Sequence, residues 1–365
     1  MKIVAARFFR QQQTFVAGEY RCRNHTETGF DSTIVELETD SGLHGWGEMA
    51  PLGSFYSAAF AEGARAGLPI LLPCLIGEDP RDIQRIGERM DDQLNGHPYI
   101  KCPVDMACWD LLGKANEQSL AELLGGRLTE STPLYRSISQ AAPEVMSNAA
   151  RELVASGYSR LQVKVGDDPR EDAERLRAVL AAVGKDVLLL ADANGAWQTE
   201  DAMRFIHATS DLAYYLEQPC MTLDECADLR PHCVQPMILD ESIETMRDIK
   251  EAIGFGINGV TIKLSRVGGI SKARQIRDLA VAQGLKVCIE DTGGSDIDTA
   301  ATTHMMVSMP VDSQMHTVDF MNWVHESNAS GMPPTEGGRI YAPTGPGLGL
   351  EIDTAALGAP LAEFG

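Results

Sequence analysis

From Pro133 to Phe320, short apolar segments with strand character recur at an almost even interval. They read PLYRSI, RLQVKV, DVLLLAD, YYLEQ, PMILDE, GVTIKL, KVCIED and QMHTVDF, centred near residues 135, 163, 190, 216, 239, 262, 288 and 318. Successive centres are 28, 27, 26, 23, 23, 26 and 30 residues apart, room in each gap for one helix and two short loops. Amphipathic stretches fill the gaps, among them EDAERLRAVLAAVG after the second segment and SKARQIRDLAVAQG after the sixth, each closing on a glycine. Eight strands alternating with helices at a steady spacing predict an α/β chain with a closed parallel (β/α)7β barrel of the TIM type rather than an open sheet.

The remainder of the 365 residues has a different texture. Residues 1–125 read as an α+β capping domain: MKIVAARFF has strand character, and STIVELETDSGLHGWGE is two strands meeting at the turn Asp40-Ser41-Gly42. Helical patterns follow at PVDMACWDLLGK and LAELLGG, the latter stopping at Gly125-Gly126. The barrel is assigned to residues 126–321. Residues 322–365 carry Gly-Pro-Gly-Leu-Gly but no further βα unit, and are expected to pack on the barrel and the capping domain.

Charge narrows the partners. With 31 Lys and Arg against 52 Asp and Glu the formal charge is −21, which repels the phosphates of nucleic acids and anionic membranes. MKIVAARFFRQQQ meets charge before any signal-like apolar stretch develops, and no run of about 18 apolar residues occurs elsewhere, so a cytoplasmic location is expected. Cys22, Cys74, Cys102, Cys108, Cys220, Cys226, Cys233 and Cys288 form no CxxC pair and sit in apolar contexts, as reduced structural thiols would.

Reactive groups in such barrels stand at the C-terminal ends of strands. Lys164, Asp192, Glu217, Asp240 and Lys263 occupy such ends on strands two to six, at spacings of 28, 25, 23 and 23 residues. One acid alone is as readily a helix cap. Three converging without a cation would repel and desolvate one another at a cost of several kcal/mol. A hard divalent ion removes the conflict, and an all-oxygen set without His or Cys suits magnesium. The two lysines bracket this centre and, across a barrel mouth, reach opposite faces of a small carboxylate substrate; a single strand lysine would more simply be an ion-pair partner. Proton removal beside a carboxylate is the chemistry such a set performs.

DANGAW with Asp192, YLEQP with Glu217, LDES with Asp240 and TIKLSRVGG with Lys263, together with WGE near residue 46 and GPGLG near the end, resemble the enolase superfamily in its muconate lactonizing enzyme subgroup. The resemblance implies that Asp192, Glu217 and Asp240 bind Mg²⁺, that Asn194 supports the metal shell, and that Lys164 and Lys263 work on the (S) and (R) faces of the substrate. It also implies a homo-oligomer. One departure stands out: where the family commonly has Lys-x-Lys on the second strand, this chain has Gln162-Val163-Lys164.

LQVKVG, LEQPC, KLSRVGG and IEDTGGSDI resemble most the members acting on proline derivatives, which include cis-3-hydroxy-L-proline dehydratases and hydroxyproline betaine epimerases. A quaternary nitrogen favours an aromatic face, whereas a free ammonium favours a carboxylate. Asp319, on the last barrel strand, is read as the carboxylate that selects a free amine, and Trp323 as the aromatic that keeps the betaine alternative open. Tyr56 and the segment from Gly18 to Phe30 are further expected substrate contacts, while Asp291 beside Glu290 is read as contacting the substrate amine or orienting Lys263, with helix capping before GGSDI an equal alternative. The leading expectation is dehydration of cis-3-hydroxy-L-proline to Δ1-pyrroline-2-carboxylate, Lys164 removing the α-proton and Lys263 assisting the departing hydroxyl. The alternative is racemisation or epimerisation by the same lysines. A binding barrel without chemistry is disfavoured by the retention of all five charged residues.

Overall fold

The computed structural model describes residues 1–22 and 25–365. Its N-terminal unit is built on an antiparallel sheet. Strand Ile3–Thr14 pairs with Gly29–Thr39, which pairs in turn with His44–Met49, while the C-terminal strand Ala362–Phe364 closes the other edge. The turn lies at the predicted Asp40-Ser41-Gly42, where Gly42 supplies the positive φ of 78° that a β-carbon would resist. Along Ile3–Thr14, buried and exposed residues largely alternate, the mark of a sheet with one face on a core. Helices Ala61–Leu71 and Ile83–Gln93 line that core.

Helix Pro98–Asn116 is buried along most of its length, as befits a helix between two layers. Trp109 Nε1 donates to Ser271 Oγ of the barrel at 2.9 Å. Asp110 accepts from Trp46 N at 3.1 Å, Lys114 Nζ at 2.7 Å and Leu348 N at 2.8 Å. The Gly-Pro-Gly-Leu-Gly tail thus packs on this helix. A β-carbon on Gly347 would lie 2.1 Å from Asp110 Oδ1, so this approach requires glycine.

The barrel strands are Arg136–Ile138, Arg160–Lys164, Leu188–Asp192, Tyr215–Glu217, Met237–Leu239, Gly259–Lys263 and Lys286–Glu290, parallel and adjacent in chain order. Their residues are almost continuously buried, as expected of strands covered on both faces. The eighth predicted strand takes a reduced form. Single parallel bridges join Gln314 to Val287 and Thr317 to Leu134, so this stretch still links the seventh strand to the first. The first segment is also split: Ser131–Pro133 pairs antiparallel with Arg339–Tyr341 before Arg136–Ile138 enters the barrel.

Helix Pro169–Val183 is capped by Asp168, which accepts from the Arg170 and Glu171 amides. Gly184, with φ of 81°, follows its end. Cys102, Cys108, Cys220, Cys226, Cys233 and Cys288 are buried free thiols, and Cys74 a partly buried one. Among the described residues no helix is long and apolar enough to cross a membrane.

Candidate active site

Strand register brings the predicted residues to one end of the barrel. Lys164, Asp192 and Glu217 are side by side on strands two, three and four, Asp240 follows strand five, and Lys263 pairs with Glu290 across strands six and seven. Strands two and six of an eight-part barrel lie diametrically opposite, so the two lysines enter the mouth from opposed sides. Lys164, Asp192, Asn194, Asp240 and Lys263 line a common cavity with Gln162.

Lys164 Nζ donates to Asp192 Oδ2 at 2.5 Å and to Asn194 Oδ1 at 3.1 Å. Asn194 occupies the left-handed region at φ 47°, which asparagine tolerates better than most residues. This turn lets its own amide donate to Asp192 Oδ1 at 2.8 Å and its side chain to Glu241 Oε1 at 3.0 Å. Gln162, at the position of the missing helper lysine, donates to Glu217 Oε2 at 2.8 Å, and Thr261 Oγ1 donates to Glu217 Oε1 at 2.8 Å. Glu217 is therefore held by two neutral donors. Burial, together with Asp192 and Asp240, pushes it well above the usual carboxylate range.

The opposite side is richer in charge. Lys263 Nζ donates to Tyr56 Oη at 2.6 Å and lies 3.2 Å from Asp240 Oδ2 and 3.8 Å from Glu290 Oε2. Tyr56 Oη donates to Asp240 Oδ2 at 3.0 Å. Arg266 donates to Asp240 Oδ1 at 2.6 Å and to its carbonyl at 2.8 Å. Burial pulls the Lys263 ammonium down, but Asp240 and Glu290 outweigh it and leave it above the ordinary lysine range. Burial pushes Asp240 up, yet Arg266 and Lys263 bring it to about 2. Glu290, buried and beside Asp240, rises to about 7 despite Lys263.

Other expected contacts divide. Tyr56 and Trp323 line the cavity, and Trp323 packs edge-on against Tyr20 at 5.5 Å and Phe320 at 5.4 Å between ring centres. With Phe30 these rings form an aromatic roof. Asp291 is on the wall, accepting from Ser265 N at 2.9 Å, from Ser265 Oγ, and from Thr292 N at 2.7 Å. Asp319 is elsewhere. It is fully buried in a two-pronged ion pair with Arg136, whose second contact is 3.0 Å, and it also accepts from Asn322 Nδ2 at 2.8 Å. The reading of Asp319 as the amine-selecting carboxylate is corrected: Arg136 satisfies that carboxylate outside the cavity lining. Of the Gly18–Phe30 segment, Tyr20 and Phe30 line the cavity, and Arg23 and Asn24 lie outside the described residues.

Sequence reasoning missed Arg266, Glu241 and Tyr135. All three were visible within quoted segments, KLSRVGG, LDES and PLYRSI, but nothing local showed that the first two would meet Asp240 and Asn194, or that Tyr135 Oη would donate to Glu290 Oε2 at 3.1 Å.

Among the described residues, no three His, Cys, Asp or Glu side chains stand together as a ready metal cage. The charge balance nevertheless suits a cation. Asp192, Glu217, Asp240, Glu241, Glu290 and Asp291 are buried at the barrel mouth against Lys164, Lys263 and Arg266. Glu217 and Glu241 are both raised by burial and by neighbouring acids. An excess of buried carboxyl groups over cations, with oxygen donors at three successive strand ends, fits a hard divalent ion.

Residues 19–125 match the mandelate racemase / muconate lactonizing enzyme N-terminal domain, and residues 145–356 match the family described as enolase C-terminal domain-like. The chain is 42% identical to a cis-3-hydroxy-L-proline dehydratase of Roseibium aggregatum, covering 100% of both proteins. It is 29% identical to an N-succinyl-L-Arg/Lys racemase of Bacillus cereus over 89% of each. A solved structure of an enolase superfamily member from Roseovarius nubinhibens, complexed with magnesium, matches at a TM-score of 0.95 and 35% identity, covering 100% of this chain and 99% of the other.

Proposed function

The chain belongs to the enolase superfamily, with the capping domain and barrel of its mandelate racemase / muconate lactonizing enzyme group, and on that footing we propose that it dehydrates cis-3-hydroxy-L-proline to Δ1-pyrroline-2-carboxylate in a Mg²⁺-dependent reaction. The observation that carries this reading is the pair of opposed, differently surrounded lysines at the barrel mouth. Full-length similarity to a protein of that named activity supports the substrate.

Asp192, Glu217 and Asp240 are the residues that would hold magnesium. When bound, the ion supplies positive charge that offsets the negative charge building on the substrate carboxylate as the α-proton leaves. In cis-3-hydroxy-L-proline the hydroxyl shares a ring face with the carboxylate, so the α-hydrogen and the leaving group lie on opposite faces. Lys164 takes the α-proton from one side. Lys263, kept protonated by Asp240 and Glu290, gives its proton to the departing hydroxyl from the other. The Cα–H and C3–O bonds break, water leaves, and the resulting enamine tautomerises to the cyclic imine. Tyr56 and Tyr20 of the cap, with Trp323 of the C-terminal segment, exclude bulk water.

The aromatic roof favours one second reading, epimerisation of an N-alkylated proline, because an alkylated ammonium is attracted to ring faces and Asp319 no longer argues for a free amine. Incubation with Mg²⁺ in D₂O, using hydroxyproline, proline and betaine stereoisomers, separates the two. Imine formation from cis-3-hydroxy-L-proline is expected. Deuterium incorporation without water loss, on betaines alone, would overturn the dehydratase reading.

A further inference from the structure

Beyond the cavity wall, the loop after the seventh strand turns sharply into helix Asp296–Val307, and this corner joins the cap to the barrel. Glu48 of the cap is completely buried at the start of that helix. It accepts from Ser295 N at 3.1 Å, Ser295 Oγ at 3.0 Å, Asp298 N at 3.2 Å, Gln13 Nε2 at 2.8 Å and Ser32 Oγ at 2.8 Å. A carboxylate so supplied at a helix N-terminus is a well-satisfied anion. Thr292 Oγ1 adds a bond to Ala50 O of the cap at 3.0 Å.

Asp298 lies within this corner and has the opposite environment. Its side chain is 1% exposed, and neither carboxyl oxygen receives a hydrogen bond from a donor among the described residues. Its polar neighbour is a second carboxyl group, that of Asp291, and Glu48 is also close. The placement is tightly built: a β-carbon on Gly294 would lie 2.5 Å from Asp298 Cβ, and one on Gly293 would lie 2.5 Å from Phe30 Cδ1 of the roof.

Three buried acids cannot all be ionised here. Glu48 and Asp291 each accept several hydrogen bonds, whereas Asp298 accepts none, so a proton is best placed on Asp298. Burial raises both Asp291 and Asp298, but the hydrogen bonds from Ser265 and Thr292 pull Asp291 part of the way back down, whereas Asp291 and Glu48 push Asp298 further up, well above the usual carboxylate range.

We propose that Asp298 is a positioning residue that carries a proton: as a neutral carboxylic acid it donates a hydrogen bond to Asp291, keeping Asp291 ionised at the cavity wall, where it receives the ammonium of the cyclic amino acid. The ammonium contact rests on the function proposed above; the proton on Asp298 does not. The pair also gives the cap a route to the substrate, because Glu48 and Asp291 meet the same helix turn.

Two measurements on the full-length protein test this. Infrared difference spectra at neutral pH between wild type and Asp298→Asn should show one isotope-sensitive carboxylic acid C=O band lost in the variant. Absence of that band overturns the proposal, since Asp298 would then be ionised. In kinetics, asparagine keeps an N–H donor toward Asp291, so Asp298→Asn should raise KM for cis-3-hydroxy-L-proline no more than about 3-fold. Asp298→Ala, which leaves Asp291 without that donor, should raise KM about 10- to 100-fold with a smaller change in kcat. Equal damage from Asn and Ala, or a KM unmoved by either, overturns the positioning role even where the band is present. A band lost as expected, in a protein inactive on every proline derivative, would sink the reaction reading while supporting the protonated carboxyl group.

Discussion

The two lysines are the same residue type at equivalent strand ends, yet their surroundings differ. Lys164 is held by Asp192 and Asn194, both from the neighbouring third-strand end. Lys263 reaches out of the barrel to Tyr56 of the cap and lies between Asp240 and Glu290. Its ammonium is stabilised by two acids and tied to a residue that belongs to another domain. On the proposed reading, environment rather than identity separates the roles: Lys263, held as an ammonium against two acids and a cap residue, is the one placed to give a proton.

Removing each lysine tests this difference most severely. Lys164→Ala should lower turnover of cis-3-hydroxy-L-proline by about 10⁴-fold and abolish α-deuteration in D₂O. Lys263→Ala should slow water loss by about 10² to 10³-fold while α-deuteration by Lys164 continues. Mass spectrometry of the amino acid and the imine reads both outcomes. Equal loss of exchange in the two variants would make the lysines equivalent, as an epimerase requires.

The acids between the lysines supply the next test. Magnesium at about 100 times its Kd should stabilise the folded protein by about 2.7 kcal/mol, seen as a higher melting temperature. Glu217→Gln should abolish that rise. Its side chain is held by Gln162 and Thr261 rather than by a lysine, so the substitution removes an ion ligand without stranding a buried cation. An undiminished rise in this variant would move the ion away from Glu217.

Much of this layout was legible in the sequence because it follows from periodicity. Even spacing of apolar segments gives the barrel, and a charged residue near the end of each of the second to sixth segments gives the mouth. What spacing does not contain is how barrel closure pairs side chains distant in the chain. Arg136 and Asp319 are 183 residues apart and meet because the first strand is bridged by the last segment. Tyr56 and Lys263 are 207 residues apart and meet because the cap folds over the mouth. The last segment, QMHTVDF, has strand-like alternation but forms only single bridges; Asp319 and Asn322 are instead engaged in the side-chain network around Arg136.

Glu290 separates the two sides through pH. Burial and Asp240 raise it from 4.5 to about 7, so the folded protein holds this proton more tightly than the unfolded chain. Its contribution to stability is complete below pH 4.5 and is lost as pH rises through about 7. Over that window the loss is on the order of 3 kcal/mol. Glu290→Gln, which cannot ionise, should retain its stability across the window. Urea unfolding at several pH values, with a chelator present, should therefore show wild type and variant diverging as pH rises. Parallel curves would mean that Glu290 is ionised throughout and that Lys263 is more fully neutralised than proposed.

The smallest expected effect comes from the link that distinguishes Lys263 most directly. Tyr56→Phe keeps the ring over the ammonium, whose nitrogen lies 4.7 Å from the ring centre, but removes the hydroxyl that accepts from Lys263 and donates to Asp240. Asp240 keeps Arg266 and Lys263 as partners, so the fold should survive. The acid on this side should be less well aimed, and kcat for dehydration should fall about 10-fold, the size expected for one hydrogen bond to a charged group. Because Lys164 makes its named contacts on the other side of the mouth, the rate of α-deuteration should change by less than about 2-fold, as for sites that share no partner. A variant that loses both rates together would show that Tyr56 closes the whole cavity rather than tuning Lys263.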